Sequence, residues 1–242
     1  MMPIGDFPFD DDVKVIVSIM AADQDAVLAR ARRIVESGAD ICEWRIDQLA
    51  ELSCVEQIVP ALRDVLGELP LLATVRSRSE GGAVDLSAVQ LADLAERLCA
   101  SGLVDLLDVE AQHAGAARAR EAAKRHGVPV VASRHLLDRC PGEDDIVALI
   151  TQLSGADVAV CKLAVNARSA LDVAHLLAGC ARAKQQLEQP VIAIAMGEMG
   201  KVSRAAGHIF GSAATFASLD GAASAPGQLD VHSVRQIIEL LN

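Results

Sequence analysis

Aromatic residues are almost missing from this chain: four Phe, one Trp and no Tyr among 242 residues. With 52% hydrophobic content a sizeable core is available, and it must be built mostly from aliphatic side chains. Basic residues are in deficit. Lys and Arg number 22 against 33 Asp and Glu, a net charge of 22 − 33 = −11, which argues against general affinity for nucleic acid or acidic membranes. A small anion could still bind in a local basic pocket. The six cysteines include no C-x-x-C pair or other zinc spacing, so no metal is implied and free thiols in a reducing cytosol are expected. Cys42, Cys99 and Cys161 fall in apolar patterns, where cysteine acts as a small core residue. No apolar run approaches the ~20 residues that span a bilayer. The stretch from Val13 to Ala22 follows Asp10-Asp11-Asp12, whereas a signal peptide has a basic start. The reading is a soluble cytoplasmic protein without metal or organic cofactor.

What is present is a regular alternation. Predicted strands run from about Lys14 to Met20, Ile41 to Asp47, Leu71 to Arg76, Leu103 to Glu110, Pro129 to His135, Asp157 to Val165, Val191 to Met196 and Ser212 to Ser218. A helical pattern follows each, the first capped by Asp23 and the third by Ser87, the seventh short, the last from about Val231 to Leu241. Ser37-Gly38-Ala39-Asp40, Ser101-Gly102-Leu103-Val104-Asp105 and Ser154-Gly155-Ala156-Asp157 recur at helix-to-strand junctions, as if one structural unit were reused. Connections are short and no linker marks a boundary, so residues 1–242 read as one domain. Eight strand–helix units favour a (β/α)8 TIM barrel. The alternative, a doubly wound open sheet, wants a glycine fingerprint after strand one, and Met20-Ala21-Ala22-Asp23 has none.

Catalytic groups in such a barrel come from the carboxyl ends of the strands and the loops beyond them. Lys162 sits in the apolar run Asp157 to Val165, where an ammonium is costly to bury and desolvation makes the nucleophilic neutral amine accessible. Snorkelling into solvent is the bland alternative. Glu43, Arg45 and Asp47 share one face of strand two by period two, and Cys42, Trp44 and Ile46 the other. A charged face inside a barrel is either an internal salt-bridge network or a site, and buried ion pairs are poor stabilisers. Strand three ends in Arg76, with Glu80 four residues on in a Gly81-Gly82 loop, and strand five ends in Ser133-Arg134-His135. A histidine one strand from an amine nucleophile is a usable proton carrier, although a lone strand-end histidine is more often structural. The glycines of Met196-Gly197-Glu198-Met199-Gly200-Lys201 form only a weak phosphate-cradle pattern. Arg204 beyond them suits a carboxylate, and the Gly/Ala/Ser/Pro loop at about 219–230 has the composition of a lid.

Together these motifs resemble type I 3-dehydroquinate dehydratase, the Schiff-base family of the shikimate pathway. They are Glu43-Trp44-Arg45-Ile46-Asp47, Thr74-Val75-Arg76 with Glu80-Gly81-Gly82, Ser133-Arg134-His135, Cys161-Lys162-Leu163-Ala164-Val165, Ser203-Arg204 to Phe210-Gly211-Ser212-Ala213-Ala214-Thr215-Phe216, and Ser224-Ala225-Pro226-Gly227-Gln228. The resemblance implies a lyase in which Lys162 forms an imine with the ketone of an anionic cyclic hydroxy-keto acid. It implies that His135 moves the proton, Glu80 holds the His135 ring, Arg204 binds the carboxylate, Glu43, Arg45 and Arg76 bind ring hydroxyls and the catalytic groups, and Ser224 and Gln228 close the lid. Ser18, Met196 and Phe216 match pocket positions less specifically, and members of the family are often homodimers. Leu137 stands where the family often has an aromatic residue, and Cys161 where it often has proline or another small residue. Two rivals are a class I aldolase acting on another keto substrate, which lacks a cation for phosphate in residues 224–228, and a non-catalytic ligand-binding barrel.

Overall fold

Every predicted strand forms and is followed by a helix in the computed structural model, which describes residue 9 and residues 12–242. Asp10 and Asp11 of the acidic run lie outside the described residues. The first half comprises β1 (Lys14–Ile19), α1 (Gln24–Glu36), β2 (Ile41–Arg45), α2 (Val55–Leu66), β3 (Leu71–Thr74), α3 (Ala88–Ala100), β4 (Leu106–Glu110) and α4 (Ala116–His126). The second comprises β5 (Val130–Leu136), α5 (Glu143–Leu153), β6 (Val160–Asn166), α6 (Ala170–Gln186), β7 (Val191–Met196), α7 (Lys201–Ala206), β8 (Ala214–Ala217) and α8 (Val231–Leu241). Asp23 caps α1 through the Ala26 amide, and Ser87 with Gln90 forms a reciprocal capping box on α3, as their sequence positions predict.

All eight strands are parallel in the order β7-β6-β5-β4-β3-β2-β1-β8. The ring is completed between β8 and β7 by a single bridge, Val191 to Ser212. There the Ala213 amide donates to the Val191 carbonyl at 2.7 Å. Ser212 Oγ accepts from the Ala193 amide and donates to the Ala214 carbonyl, both at 3.1 Å. A side chain thus stands in for the ladder bonds that two diverging strands do not make. This is a (β/α)8 barrel.

Several strand limits differ from the sequence expectation, and at β2, β4 and β6 an aspartate lies at the displaced end. β2 ends at Arg45, and Asp47 lies on a 3-10 turn, Ile46–Gln48, rather than on the strand. Its buried carboxylate accepts from Arg45 Nε and Nη2 (2.7 and 2.8 Å), Gln48 Nε2 (2.9 Å) and the amides of Ala83 (3.1 Å) and Arg76 (3.2 Å). Curling the chain brings these donors together. β4 and β6 begin at Leu106 and Val160, three residues later than the apolar pattern suggests. The repeated junction phrase explains part of this. Asp40 and Asp105 each reach back to cap the first amides of a neighbouring strand, Val15 and Leu71, at 2.7 Å. Asp157 of the third copy pairs with Arg120 at 3.4 Å instead.

Alternation along the strands sorts side chains between two layers. Outward residues such as Val17, Trp44, Val109 and Leu163 pack under the helices. Inward residues at the amino ends, among them Ile16, Ile41, Leu72, Leu106, Val131, Val160, Ile192 and Ala214, form an aliphatic plug. Two residues further along β1 to β6 the inward position turns polar: Ser18, Glu43, Thr74, Asp108, Ser133 and Lys162, all buried. β7 and β8 stay apolar, with Ile194, Met196 and Phe216.

Removing the closing hydroxyl strands the buried Ala193 amide. Ser212→Ala is therefore expected to lower unfolding free energy by about 1–3 kcal/mol, read from urea denaturation midpoints. No loss would show that water or a shifted strand satisfies the amide.

Candidate active site

The polar inward residues open into a cavity of about 160 Å³ at the carboxyl ends of the strands, bounded by Glu43, Arg45, Arg76, Glu80, His135, Lys162, Arg204, Phe216, Ser224 and Gln228, among others. Nine of the ten sequence-predicted site residues thus face one space, and Ser18 stands beside it, donating to Glu43 Oε2 at 2.5 Å. Lys162 does not snorkel. It is 4% exposed, and its Nζ lies 3.1 Å from Asp108 Oδ2, 3.7 Å from Glu43 Oε1 and 4.4 Å from the centre of the Phe216 ring. The solvated-lysine reading is excluded by this burial.

Glu43 is held by hydroxyls as well as by charge, accepting from Ser18 and from Thr74 Oγ1 at 3.0 Å. Arg76 is the hub of the opposite wall. It donates to Glu110 Oε1 and Asp108 Oδ1, both at 3.0 Å, and to Ser133 Oγ at 3.1 Å, and stands 3.5 Å from Glu80. Burial opposes the charge of Arg76, yet Asp108, Glu110 and Glu80 keep its pKa above the ordinary arginine value. Burial likewise pushes the Asp108 carboxyl up, but Arg76 and Lys162 hold it well below the usual carboxylate range.

The loop carrying Glu80 is folded tightly back. The Gly82 amide donates to the Ser77 carbonyl at 2.7 Å, and a Cβ on Gly82 would fall 1.9 Å from the Arg76 carbonyl oxygen. Only glycine fits that approach. The turn delivers Glu80 Oε2 to the His135 ring, 2.8 Å from Nδ1 and 3.0 Å from the His135 amide. Burial, followed by the nearby Arg76 and Lys162 cations, drives the His135 pKa well below 6.5, so the ring is neutral. Burial and then Glu110 raise Glu80 to about 7, against the pull of Arg76. An Nδ1–H directed at Glu80 leaves the Nε2 lone pair available for a proton.

Arg204 is different in kind. It is 2% exposed, and burial alone lowers its pKa to about 10. Its Nη atoms donate at 3.3 Å to the Phe216 and Pro226 carbonyls, its Nε has no partner, and it makes no ion pair among the described residues. A buried guanidinium without an anion is built to receive one. The loop beyond β8 lies over it. Ser224 Oγ is 3.0 Å from Ser18 Oγ and 2.9 Å from Gln228 Nε2, and the Gly197 amide donates to the Pro226 carbonyl at 3.2 Å. A Cβ on Gly227 would sit 2.2 Å from the Gly197 carbonyl oxygen, and one on Gly200 equally close to that of Ala195. Close packing at Gly200 and a φ of 88° at Gly197, rather than a phosphate cradle, account for the glycines after β7.

Asp108, Ser133 and Thr74 were not singled out as site residues from the sequence. The signal was available in Leu106-Leu107-Asp108-Val109-Glu110, which alternates as Glu43-Trp44-Arg45 does. Among the described residues no three of His, Cys, Asp and Glu are grouped to hold a metal ion. No helix among them is long and apolar enough to cross a membrane.

Parallel strands that converge a buried lysine, a neutral histidine on a carboxylate and an unpaired arginine on one cavity define a (β/α)8-barrel enzyme. The model of the type I 3-dehydroquinase family matches residues 15–242. The chain is 40% identical over 233 residues to 3-dehydroquinate dehydratase of Lactiplantibacillus plantarum, covering 93% of this chain and 91% of that one. It is 38% identical over 236 residues to the enzyme of that name from Escherichia coli O1:K1, covering 95% and 93%. The crystal structure of 3-dehydroquinate dehydratase from Geobacillus kaustophilus superposes with a TM-score of 0.89 at 33% identity, over 95% and 91% of the two chains. That of the type I enzyme from Clostridium difficile with covalent modified comenic acid gives 0.87 at 30%, over 95% and 92%. The chain belongs to the type I 3-dehydroquinase family. It is a lyase that dehydrates 3-dehydroquinate, a reaction of the shikimate pathway.

The buried dyad should leave a mark on stability. Glu80 is raised in the folded state, so its contribution is full below 4.5 and lost as pH climbs through about 7. His135 is depressed, so its contribution is present above 6.5 and lost as pH falls towards its lowered value. The two oppose one another, and Glu80→Gln separates them. Wild-type minus variant unfolding free energy should fall between about pH 4.5 and 7, by at most about 3 kcal/mol, in urea titrations at stepped pH. A flat difference would mean Glu80 titrates normally.

Proposed function

We propose that the dehydration runs through an imine between Lys162 Nζ and the ketone carbon of 3-dehydroquinate. The observation that carries this reading is the depth of Lys162 beneath the same cavity that holds the neutral His135 ring and the anion-free Arg204. Nothing in a structural role requires all three at one strand end.

The Lys162 ammonium gives up one proton, the neutral amine attacks the carbonyl carbon, and the oxygen leaves as water carrying that proton and one of the two remaining N–H protons. The resulting cationic imine withdraws electrons from the adjacent carbon and acidifies its C–H. His135 Nε2, free because Nδ1–H points to Glu80, takes that proton. The electron pair forms the new double bond and expels the β-hydroxyl, which leaves as a second water with the proton returned by His135. Hydrolysis then releases the conjugated ketone and restores Lys162. Arg204 binds the substrate carboxylate, since it alone among the cavity cations has no carboxylate partner among the described residues. Glu43, Arg45 and Arg76 address ring hydroxyls and hold the catalytic groups in place. The 219–230 loop acts as a lid, with Ser224 and Gln228 closing on the ligand. Ser18 steadies that closure through its contact with Ser224.

The aldolase alternative finds little support, since residues 224–228 supply no cation for a phosphate. Six free cysteines suit a cytoplasmic location.

Borohydride added during turnover of 3-dehydroquinate should link ligand mass to Lys162, as read by peptide mass spectrometry. Mass on another lysine, or none, overturns the imine. His135→Ala should still form the adduct while dehydration, followed by enone absorbance, slows by roughly 10²–10⁴-fold. Unimpaired turnover would remove His135 from its role.

A further inference from the structure

Asp108 is the one carboxylate in contact with the Lys162 amine that does not line the substrate cavity. Its side chain is fully buried, and each oxygen is committed: Oδ2 to Lys162 Nζ at 3.1 Å, Oδ1 to Arg76 Nη2 at 3.0 Å and Ser133 Oγ at 2.7 Å. Register fixes it from two sides. Ser133 lies beside Lys162 on the β5–β6 ladder, and Asp108 beside Val131 on the β4–β5 ladder. Glu43, the other anion near Nζ, is further away at 3.7 Å, and both its oxygens are engaged by hydroxyls.

We propose that Asp108 is the fixed counter-ion of the lysine nitrogen throughout the reaction, receiving the single N–H of the cationic imine and keeping that imine protonated. This rests on the imine reading above. The balance of the condensation supports it. A lysine ammonium and a ketone give a cationic imine and one water; two of the three ammonium protons leave with the ketone oxygen, and one stays on nitrogen. The nitrogen carries one positive charge before and after. An anion already placed for the ammonium therefore serves the imine without rearrangement, which is the condition for electrostatic preorganisation. The position behind the lysine also sets direction. With its remaining N–H turned towards β4, the nitrogen presents its new C=N bond to the cavity, where His135 waits.

The charged and titratable groups facing this nitrogen are Glu43 on β2, Arg76 and Glu80 after β3, Asp108 on β4 and His135 on β5. From β8 comes the Phe216 ring. Of these, Asp108 alone is both within 3.5 Å of Nζ and an anion. Asp108→Asn keeps the shape and removes the charge. Arg76 retains Glu110 in the variant.

The test is borohydride trapping on intact enzyme with 3-dehydroquinate, quenched across a pH series, because hydride reduces the protonated imine. The pH at which the Lys162 adduct falls to half should drop in Asp108→Asn by about 1–3 units relative to wild type, and Asp108→Glu should recover part of it. An unchanged midpoint in folded Asp108→Asn overturns the proposal. Should neither variant fold, wild type decides against the imine of n-butylamine and 3-dehydroquinate in water. Its midpoint must lie above that of the free imine, and coincidence overturns the proposal. A wild-type enzyme that gives no adduct at any pH removes the imine reading itself, and the role of Asp108 with it.

Discussion

An ammonium 4% exposed in the wall of a barrel can stay charged only if an anion reaches it, and Asp108 at 3.1 Å is that anion. Much of the upper barrel follows from this pair. Asp108 carries one charge but touches two cations, so Arg76 must find further carboxylates, and it has Glu110 and Glu80. Glu110 in turn accepts the Ser77 amide at 2.8 Å, which anchors the start of the loop that delivers Glu80 to His135. Lysine, arginine and histidine are thus coupled through carboxylates on adjacent strands. Such networks stabilise poorly for their burial. Their presence above a complete aliphatic plug indicates that the fold's stability is supplied below and around them, leaving the site to be shaped by chemistry.

Charge pairing in this network leaves one residue over. Arg45 has Asp47, Arg76 has three acids, Lys162 has Asp108 and Glu43, and Arg204 has only two carbonyl oxygens at 3.3 Å. A guanidinium accepting that environment is a standing cost that an incoming carboxylate relieves. Its place on α7 sets it apart from the Glu80–His135 pair, which the loop after β3 and strand β5 carry. The Pro226 carbonyl that touches Arg204 belongs to the loop over the cavity, so the same cation bears on the cavity and on the loop.

Much of this was legible in the sequence because it follows from alternation. Period two put Glu43 and Arg45 on one face, the isolated Lys162 in an apolar run signalled a site, and His135 and Arg76 fell at strand ends. Asp47 reads from the sequence as part of strand two, yet its five donors come from the strand end, the turn after it and the segment beyond β3, which only the folded chain brings together. Asp108 is not evident from the sequence, because a carboxylate in mid-strand reads like any solvent-facing acid until its neighbours are known. Which of several nearby acids holds the lysine is a matter of register and barrel tilt. Nearest-neighbour alternation does not carry that information. Nor does the sequence distinguish glycines that cradle a ligand from Gly200 and Gly227, whose close partners are the backbone carbonyls of Ala195 at the end of β7 and Gly197 just beyond it.

The apolar side of the cavity completes the logic. β1 to β6 turn polar one step above the plug, while β7 and β8 continue with Ile194, Met196 and Phe216, and Ala164 of β6 joins them. The cavity therefore has one polar and one apolar wall. The apolar side also lowers the local polarity around the lysine, which lengthens the reach of every charge facing it. Phe216 serves twice, since its ring lies 4.4 Å from Nζ while its carbonyl accepts from Arg204. One residue of β8 therefore ties the positions of Lys162 and Arg204 to the strand on which the barrel closes.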